Sequence, residues 1–149
     1  MEAIRELIPA LLDETGITAQ VLVVDDDPLV RNVAAATLEH FNFEVVLAEN
    51  GEQALELFKR HNDSIDLLIV DIVMPGGNGM LVSAMILHER PDLPVLYISG
   101  YSPETLRNFG IDATSKMFIS KPFTPREMMQ KVYAALVENG TNSQDDIDG

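Results

Sequence analysis

Four short apolar runs in this chain each end on, or lead directly into, a side chain able to do chemistry. Val21-Leu22-Val23-Val24 runs into Asp25-Asp26-Asp27, and Leu67-Leu68-Ile69-Val70 into Asp71. Val95-Leu96-Tyr97-Ile98 ends on Ser99, and Met117-Phe118-Ile119 is followed by Ser120 and Lys121. Taken singly, an aspartate after an aliphatic run is as readily a helix cap or a turn former. Asp27, directly before Pro28, fits a cap. Taken together, several carboxylates at one place repel and raise each other's pKa unless something compensates them. A divalent cation with oxygen ligands does so, and Mg²⁺ takes one or two carboxylates plus a phosphate while keeping several waters. Lys121 adds a point positive charge and Ser99 a neutral donor. A carboxylate nucleophile, a metal, a lysine and a hydroxyl suit phosphoryl transfer to aspartate. Such transfer needs in-line positioning and neutralised equatorial oxygens more than acid–base machinery.

These groups meet only if the runs are parallel strands of one sheet, because ligands of open α/β sheets bind outside the carboxyl ends of the strands. The near-continuous apolar runs suit strands buried on both faces. Strands are predicted at Val21–Val24, Val45–Leu47, Ile65–Val70, Val95–Ser99 and Ser115–Ile119. Between them the period changes to that of helices. Val30, Val33, Ala34, Thr37, Leu38 and Phe41 form one face after Pro28, and Asn50 with Gln53 resembles a capping box for a helix reaching about His61. Leu81, Ala84, Met85 and His88 mark a third helix, closed by Pro91, after a loop at Pro75–Gly79. Ser102-Pro103-Glu104 opens a short fourth helix, and Thr124-Pro125-Arg126-Glu127 is a strong helix start. Five alternations of strand and helix predict an α/β fold with a parallel sheet covered on both faces.

The ends depart from this repeat. Residues 1–19 form an N-terminal extension in which Ile4, Leu7, Ile8, Leu11 and Leu12 have helical spacing around Pro9. Residues 20–138 are the expected domain, and 139–149 a flexible acidic tail. A length of 149 residues suits one domain. The net charge of -14 argues against a nucleic acid or an anionic membrane as direct partner. With no cysteine there is no disulfide, thiol nucleophile or zinc–thiolate site. Neither a signal peptide nor a run of membrane-spanning length is evident, so a soluble, cytoplasmic protein without membrane insertion is expected. His40, His61 and His88 fall near predicted helix C-termini, where the helix dipole favours them, and suit structural roles.

The motifs together resemble the receiver domain of two-component response regulators over roughly Val21 to Glu138. The acidic pair after the first strand is matched by Asp25-Asp26-Asp27-Pro28, and the phosphoacceptor segment by Asp71-Ile72-Val73-Met74-Pro75-Gly76-Gly77-Asn78-Gly79. The hydroxyl position is Ser99 in Ile98-Ser99-Gly100-Tyr101-Ser102. The lysine is Lys121 in Lys121-Pro122-Phe123, where the family's lysine–proline bond is usually cis. The wording Ser-Gly-Tyr-Ser-Pro-Glu and Lys-Pro-Phe-Thr-Pro is most similar to receivers of hybrid sensor histidine kinases.

The resemblance implies a flavodoxin-like, doubly wound sheet of order 2-1-3-4-5, an order for which a protein of this family is the standard example. It implies that Asp26, Asp71 and the backbone carbonyl of Val73 hold Mg²⁺, with Asp25 helping. Asp71 would take a phosphoryl group from a histidine kinase or a histidine phosphotransfer protein. Ser99 and Lys121 would bind the phosphoryl oxygens, and Phe118 would turn as the switch aromatic, altering the surface of the fourth helix, fifth strand and fifth helix for a downstream protein or attached domain. Val73 and Tyr101, flanking the approach of a hydrolytic water, would tune phosphate lifetime and are expected to make it long. A phosphorylation-dependent homodimer is compatible with such a module. It would be a signalling domain rather than an enzyme, catalysing only its own phosphorylation and dephosphorylation. A phospho-independent binding module on the same fold is the alternative, disfavoured by the complete set Asp26, Asp71, Ser99 and Lys121. A true phosphatase would need a general acid beside Asp71, and Ile72-Val73 offers none.

Overall fold

The computed structural model describes residues 19–74, 77–108, 110–111 and 117–148, and of residues 77–78 and 138–148 the backbone only. The N-terminal extension, apart from Ala19, lies outside the described residues. Five parallel strands, β1 (Gln20–Val24), β2 (Glu44–Ala48), β3 (Ile65–Asp71), β4 (Val95–Ser99) and β5 (Met117–Ser120), form one sheet of order β2-β1-β3-β4-β5. The helices are α1 (Pro28–His40), α2 (Gly51–His61), α3 (Gly79–Glu89), α4 (Pro103–Asn108) and α5 (Pro125–Asp148). A three-residue 3₁₀ turn, Asn62–Ser64, leads from α2 into β3. This is the parallel sheet covered on both faces that the alternation predicts, in the doubly wound order that the resemblance implies.

Strand alternation sends successive side chains to opposite faces of the sheet, and each face has its own core. Val21, Val23, Leu67, Ile69, Leu96 and Ile98 pack under α1 and α5, against Ala34, Leu38, Met128, Met129 and Val132. Leu22, Val24, Leu68, Val70 and Tyr97 pack under α2, α3 and α4, against Ala54, Phe58, Val82, Ile86 and Leu106. The three inner strands are buried on both sides, so their sequences read as unbroken apolar runs.

Local signals start the helices where expected. Asp27 Oδ1 accepts the Leu29 N–H at 2.9 Å and Asn50 Oδ1 the Gln53 N–H at 2.8 Å. Thr124 and Glu127 form a reciprocal box, Oγ1 accepting from Glu127 N–H at 3.1 Å and Oε1 from Thr124 N–H at 3.0 Å. α1 ends at His40, and Asn42, two residues on, has a φ of 69° that lets the chain reverse into β2. Asparagine tolerates this left-handed conformation better than most residues. The three histidines do lie in last turns, of α1, α2 and α3.

Two features differ from the sequence reading. Leu81, Ala84, Met85 and His88 do mark a helix, but they face water, while Val82, Ser83 and Ile86 are buried. Nearly every position of α3 is apolar, so periodicity cannot say which side meets the sheet. The segment expected as a plain loop at Pro75–Gly79 is partly ordered: Val73–Met74 pairs antiparallel with Gly77–Asn78, and Gly79 already belongs to α3. The last helix, α5, is continuous to Asp148. Extending a helix adds a hydrogen bond per residue without a new nucleation cost, and no proline follows Pro125 to interrupt it.

Candidate functional site

β1 and β3 are neighbours at the centre of the sheet, so the residues that follow them surface side by side. Asp25 extends the β1 ladder by one bond, its N–H donating to the Ala48 carbonyl at 3.1 Å. Its side chain is fully buried, and Oδ1 accepts the Asp27 N–H at 2.9 Å. Arg31, one turn into α1, donates to the Asp25 carbonyl at 2.7 Å and fixes this strand end from the helix side. Asp26 points outward and is exposed. Asp71 is the last residue of β3 and only 4% exposed. Its Oδ1 accepts the Val73 N–H at 3.1 Å, which folds the chain back over the carboxylate.

Lys121 reaches into this acidic group from the loop after β5. Its backbone N–H donates to the Ser99 carbonyl at 2.8 Å, and the Lys121–Pro122 peptide is cis. Its ammonium donates to Asp71 Oδ2 at 2.8 Å and lies 2.9 Å from Asp25 Oδ2. The second contact has ion-pair distance without the alignment of a hydrogen bond, so Asp25 Oδ2 is a buried acceptor with no hydrogen-bond partner. Burial pushes the Asp71 carboxyl above the ordinary aspartate value, and the Asp25 charge adds to this. The Lys121 and Val73 donors only partly offset it. Burial also disfavours the Lys121 ammonium, but the bond it donates to Asp71 and the adjacent charge of Asp25 outweigh this and hold the lysine above its ordinary value.

Asp25, Asp26 and Asp71 offer ligand oxygens that all lie within 4.8 Å of one another. All-oxygen donors, two of them buried and one with a lone pair unmet by any hydrogen bond, form an acidic pocket that fits a hard divalent cation. Ser99, 3% exposed, ends β4 beside Asp71, yet its hydroxyl turns toward the next turn. Oγ accepts the Tyr101 N–H at 3.0 Å and donates to the Tyr101 carbonyl at 3.3 Å. Val73 and Tyr101 stand at the rim, 49% and 42% exposed.

Phe118, half-buried in β5, stacks on Tyr97 of β4 with ring centroids 5.4 Å apart and planes inclined by 30°. The Tyr97 hydroxyl lies 2.9 Å from Ser83 Oγ, and Ser83 in turn donates to the Met80 carbonyl at 2.9 Å. A serine has one proton to give, so the tyrosine is the donor to Ser83. Phe118 is thereby linked through Tyr97 to α3.

Sequence reasoning brought together Asp25, Asp26, Asp71, Ser99 and Lys121 but missed four supporting residues: Arg31, Gly79, Ser83 and Tyr97. Gly79 is the clearest. A Cβ there would lie 1.8 Å from the Asp71 carbonyl oxygen, so only glycine lets α3 start against the strand end that carries Asp71. The cluster of glycines was visible in sequence, but the close approach was not. Tyr97 looked like one more apolar strand residue, because its hydroxyl partner is 14 positions away in another element.

The response regulator receiver domain family matches residues 21–133. This chain belongs to that family. Among curated relatives, the transcriptional regulatory proteins ResD of Bacillus subtilis and CpxR of Escherichia coli are each 34% identical. Those matches cover 84% and 78% of this chain. The chain spans about half the length of these relatives, 50% and 49% respectively. Among solved structures, the receiver domain of the hybrid histidine kinase CckA is 32% identical with a TM-score of 0.67, covering 79% of this chain and 99% of that one. The CheX–CheY–BeF3–Mg²⁺ complex from Borrelia burgdorferi matches at 27% identity and a TM-score of 0.71, over 81% of this chain and 91% of that one. A receiver domain is a signalling domain of two-component systems rather than a classical enzyme. The expected exclusion of nucleic acid gains no support here, since the relatives are named as transcriptional regulators. No helix among the described residues is long and apolar enough to cross a membrane.

Proposed function

We propose that this receiver domain accepts a phosphoryl group on Asp71 from a phosphohistidine of a histidine kinase or a histidine phosphotransfer protein. A carboxylate oxygen of Asp71 forms the new P–O bond as the P–N bond to histidine breaks. The observation that carries this reading is the Lys121 ammonium held between the buried carboxylates of Asp71 and Asp25. It can follow the charge to a phosphoryl oxygen once Asp71 is esterified. Asp25, Asp26, Asp71 and the Val73 carbonyl would hold Mg²⁺, which when bound supplies positive charge to the phosphoryl oxygens. The Mg²⁺ in the related CheY complex supports that choice of ion.

In the same reading Ser99 gives up its bonds to Tyr101 and donates to the phosphoryl group. That opens space for Phe118 to turn, and the surface of α4, β5 and α5 changes for a partner. This is a population shift between two packings, of which the phosphorylated protein favours one. Val73 and Tyr101, exposed at the rim, restrict water and lengthen the life of the acyl phosphate. The output is a separate protein, a second copy of the chain, or an attached region of the kind that the length of the relatives suggests, and the setting is cytoplasmic.

The test is direct. The full chain is incubated with a small phosphodonor and Mg²⁺, and its intact mass is measured beside Asp71→Asn. A single phosphate adduct, absent from the variant, is expected. No adduct on either protein would leave a phospho-independent binding module, and continuous turnover of unrelated phosphoesters a hydrolase.

A further inference from the structure

A buried polar contact outside the acidic site touches the residue expected to switch. Tyr97 and Ser99 lie two positions apart on β4, so their side chains share one sheet face, the one covered by α2, α3 and α4. Phe118 is the register partner of Tyr97 on β5, as Ser120 is of Ser99. To turn toward the space beside Ser99, the Phe118 ring must therefore travel along the sheet, past the Tyr97 ring on which it stacks.

The Tyr97 ring has little room to yield. It is 4% exposed and surrounded by buried side chains of α3 and α4, and a close-packed interior leaves no free volume for a ring to move alone. Its far end is held by the bond to Ser83 Oγ at 2.9 Å, and Ser83 is buried on α3. That helix is anchored in turn, because the Gly79 N–H donates to the Ile72 carbonyl at 2.9 Å and a Cβ at Gly79 would already collide with the Asp71 carbonyl. The Tyr97–Ser83 bond is nonetheless able to open. Ser83 keeps the Met80 carbonyl as acceptor for its own proton, so parting from Tyr97 leaves no serine donor unpaired.

We propose that the Tyr97–Ser83 bond restrains the switch: it holds Phe118 in its stack on Tyr97 and is released in the phosphorylated packing. α3 then joins α4, β5 and α5 among the elements that respond to Asp71. This rests on the reading of Asp71 as phosphoacceptor. Tyr97 and Ser83 are positioning residues, acting on the switch through Phe118. Removing their bond lowers the ratio of resting to active packing by the factor that one neutral hydrogen bond supplies, roughly fivefold. While the resting packing predominates, a phosphoryl mimic that binds the active packing gains the same factor in apparent affinity.

Beryllofluoride, a phosphoryl mimic taken up by carboxylates, is titrated into the full chain at saturating Mg²⁺, and its dissociation constant is read from backbone amide signals in NMR. Tyr97→Phe and Ser83→Ala are each expected to bind it roughly fivefold more tightly than the parent, although each is less stable to urea. The double variant gains no more than either alone. Without the mimic, amide signals of α3 around Ser83 in the variants lie part of the way toward their positions in the liganded parent. A merely structural role gives lower stability with equal or weaker binding, and that result overturns the proposal. Additive tightening in the double variant overturns it as well, since the two side chains would then act apart from their bond. Binding to the parent with no change in the variants overturns this proposal alone. No binding to the parent overturns the phosphoacceptor reading, and this proposal with it.

Discussion

Replacing Lys121 by methionine removes the ammonium but keeps an unbranched stem of similar reach. The ammonium lies 2.8 Å from Asp71 Oδ2 and 2.9 Å from Asp25 Oδ2, and both carboxylates are nearly or fully buried. At an effective dielectric of 20, each contact is roughly 6 kcal/mol of bare attraction, most of which desolvation cancels. Removing one member of a buried ion pair costs about 3–5 kcal/mol, because the remaining charges stay buried and uncompensated. The Lys121 side chain is 23% exposed, and water at that edge places the expected loss near the lower bound, about 3 kcal/mol. Urea unfolding followed by far-UV circular dichroism, at neutral pH with a chelator present, measures it as a lower midpoint at unchanged slope. Adding Mg²⁺ then gives a second reading. In the variant no ammonium competes for the acidic pocket, so the cation stabilises Lys121→Met more than the parent protein. A loss below about 0.5 kcal/mol, the range of ordinary surface substitutions, would refute the electrostatic reasoning. Equal stabilisation of both proteins by Mg²⁺ would refute the role of the lysine as occupant of the pocket.

Three further outcomes are expected. Gly79→Ala forces its methyl into the Asp71 carbonyl, and α3 must shift, so stability falls by about 1–3 kcal/mol and backbone amide NMR shifts change around Asp71 and Ile72. Tyr97→Phe keeps the stack on Phe118 but loses the bond to Ser83; a stability loss of about 1 kcal/mol is expected in thermal unfolding, and Ser83→Ala in addition should cost little more. The titrations of Asp71 and Lys121 set opposite pH windows. The folded protein holds the Asp71 proton more tightly than the unfolded chain, so this group's contribution falls as pH rises from the ordinary value of 3.8 toward the raised folded value. Lys121 contributes fully below its ordinary 10.5 and loses its contribution as pH rises through the higher folded value. Stability curves of Asp71→Asn and Lys121→Met against the parent should therefore diverge in acid and alkali respectively, and parallel curves would count against these shifts.

The amino-acid sequence determined whatever depends on near neighbours and on alternation. Apolar runs buried on both faces identified the strands, and Asp27, Asn50 and Thr124 started their helices through bonds to residues two or three positions on. Because the strands are parallel, everything that follows them surfaces at one edge. Asp25, Asp71, Ser99 and Lys121 were therefore legible as one site from 96 residues of separation between first and last. The fold decided what depends on residues far apart in the chain. It turned Leu81 and Met85 of a uniformly apolar helix toward water, a choice that periodicity cannot make when both faces are hydrophobic. It set Gly79 against the Asp71 carbonyl and Arg31 on the Asp25 carbonyl, and joined Tyr97 to Ser83. It also oriented the Ser99 hydroxyl toward Tyr101 and placed the lysine between the two aspartates. Residue types announce which groups can react, but a distance of 2.8 Å between Lys121 and Asp71 exists only after the sheet has brought its strands into register.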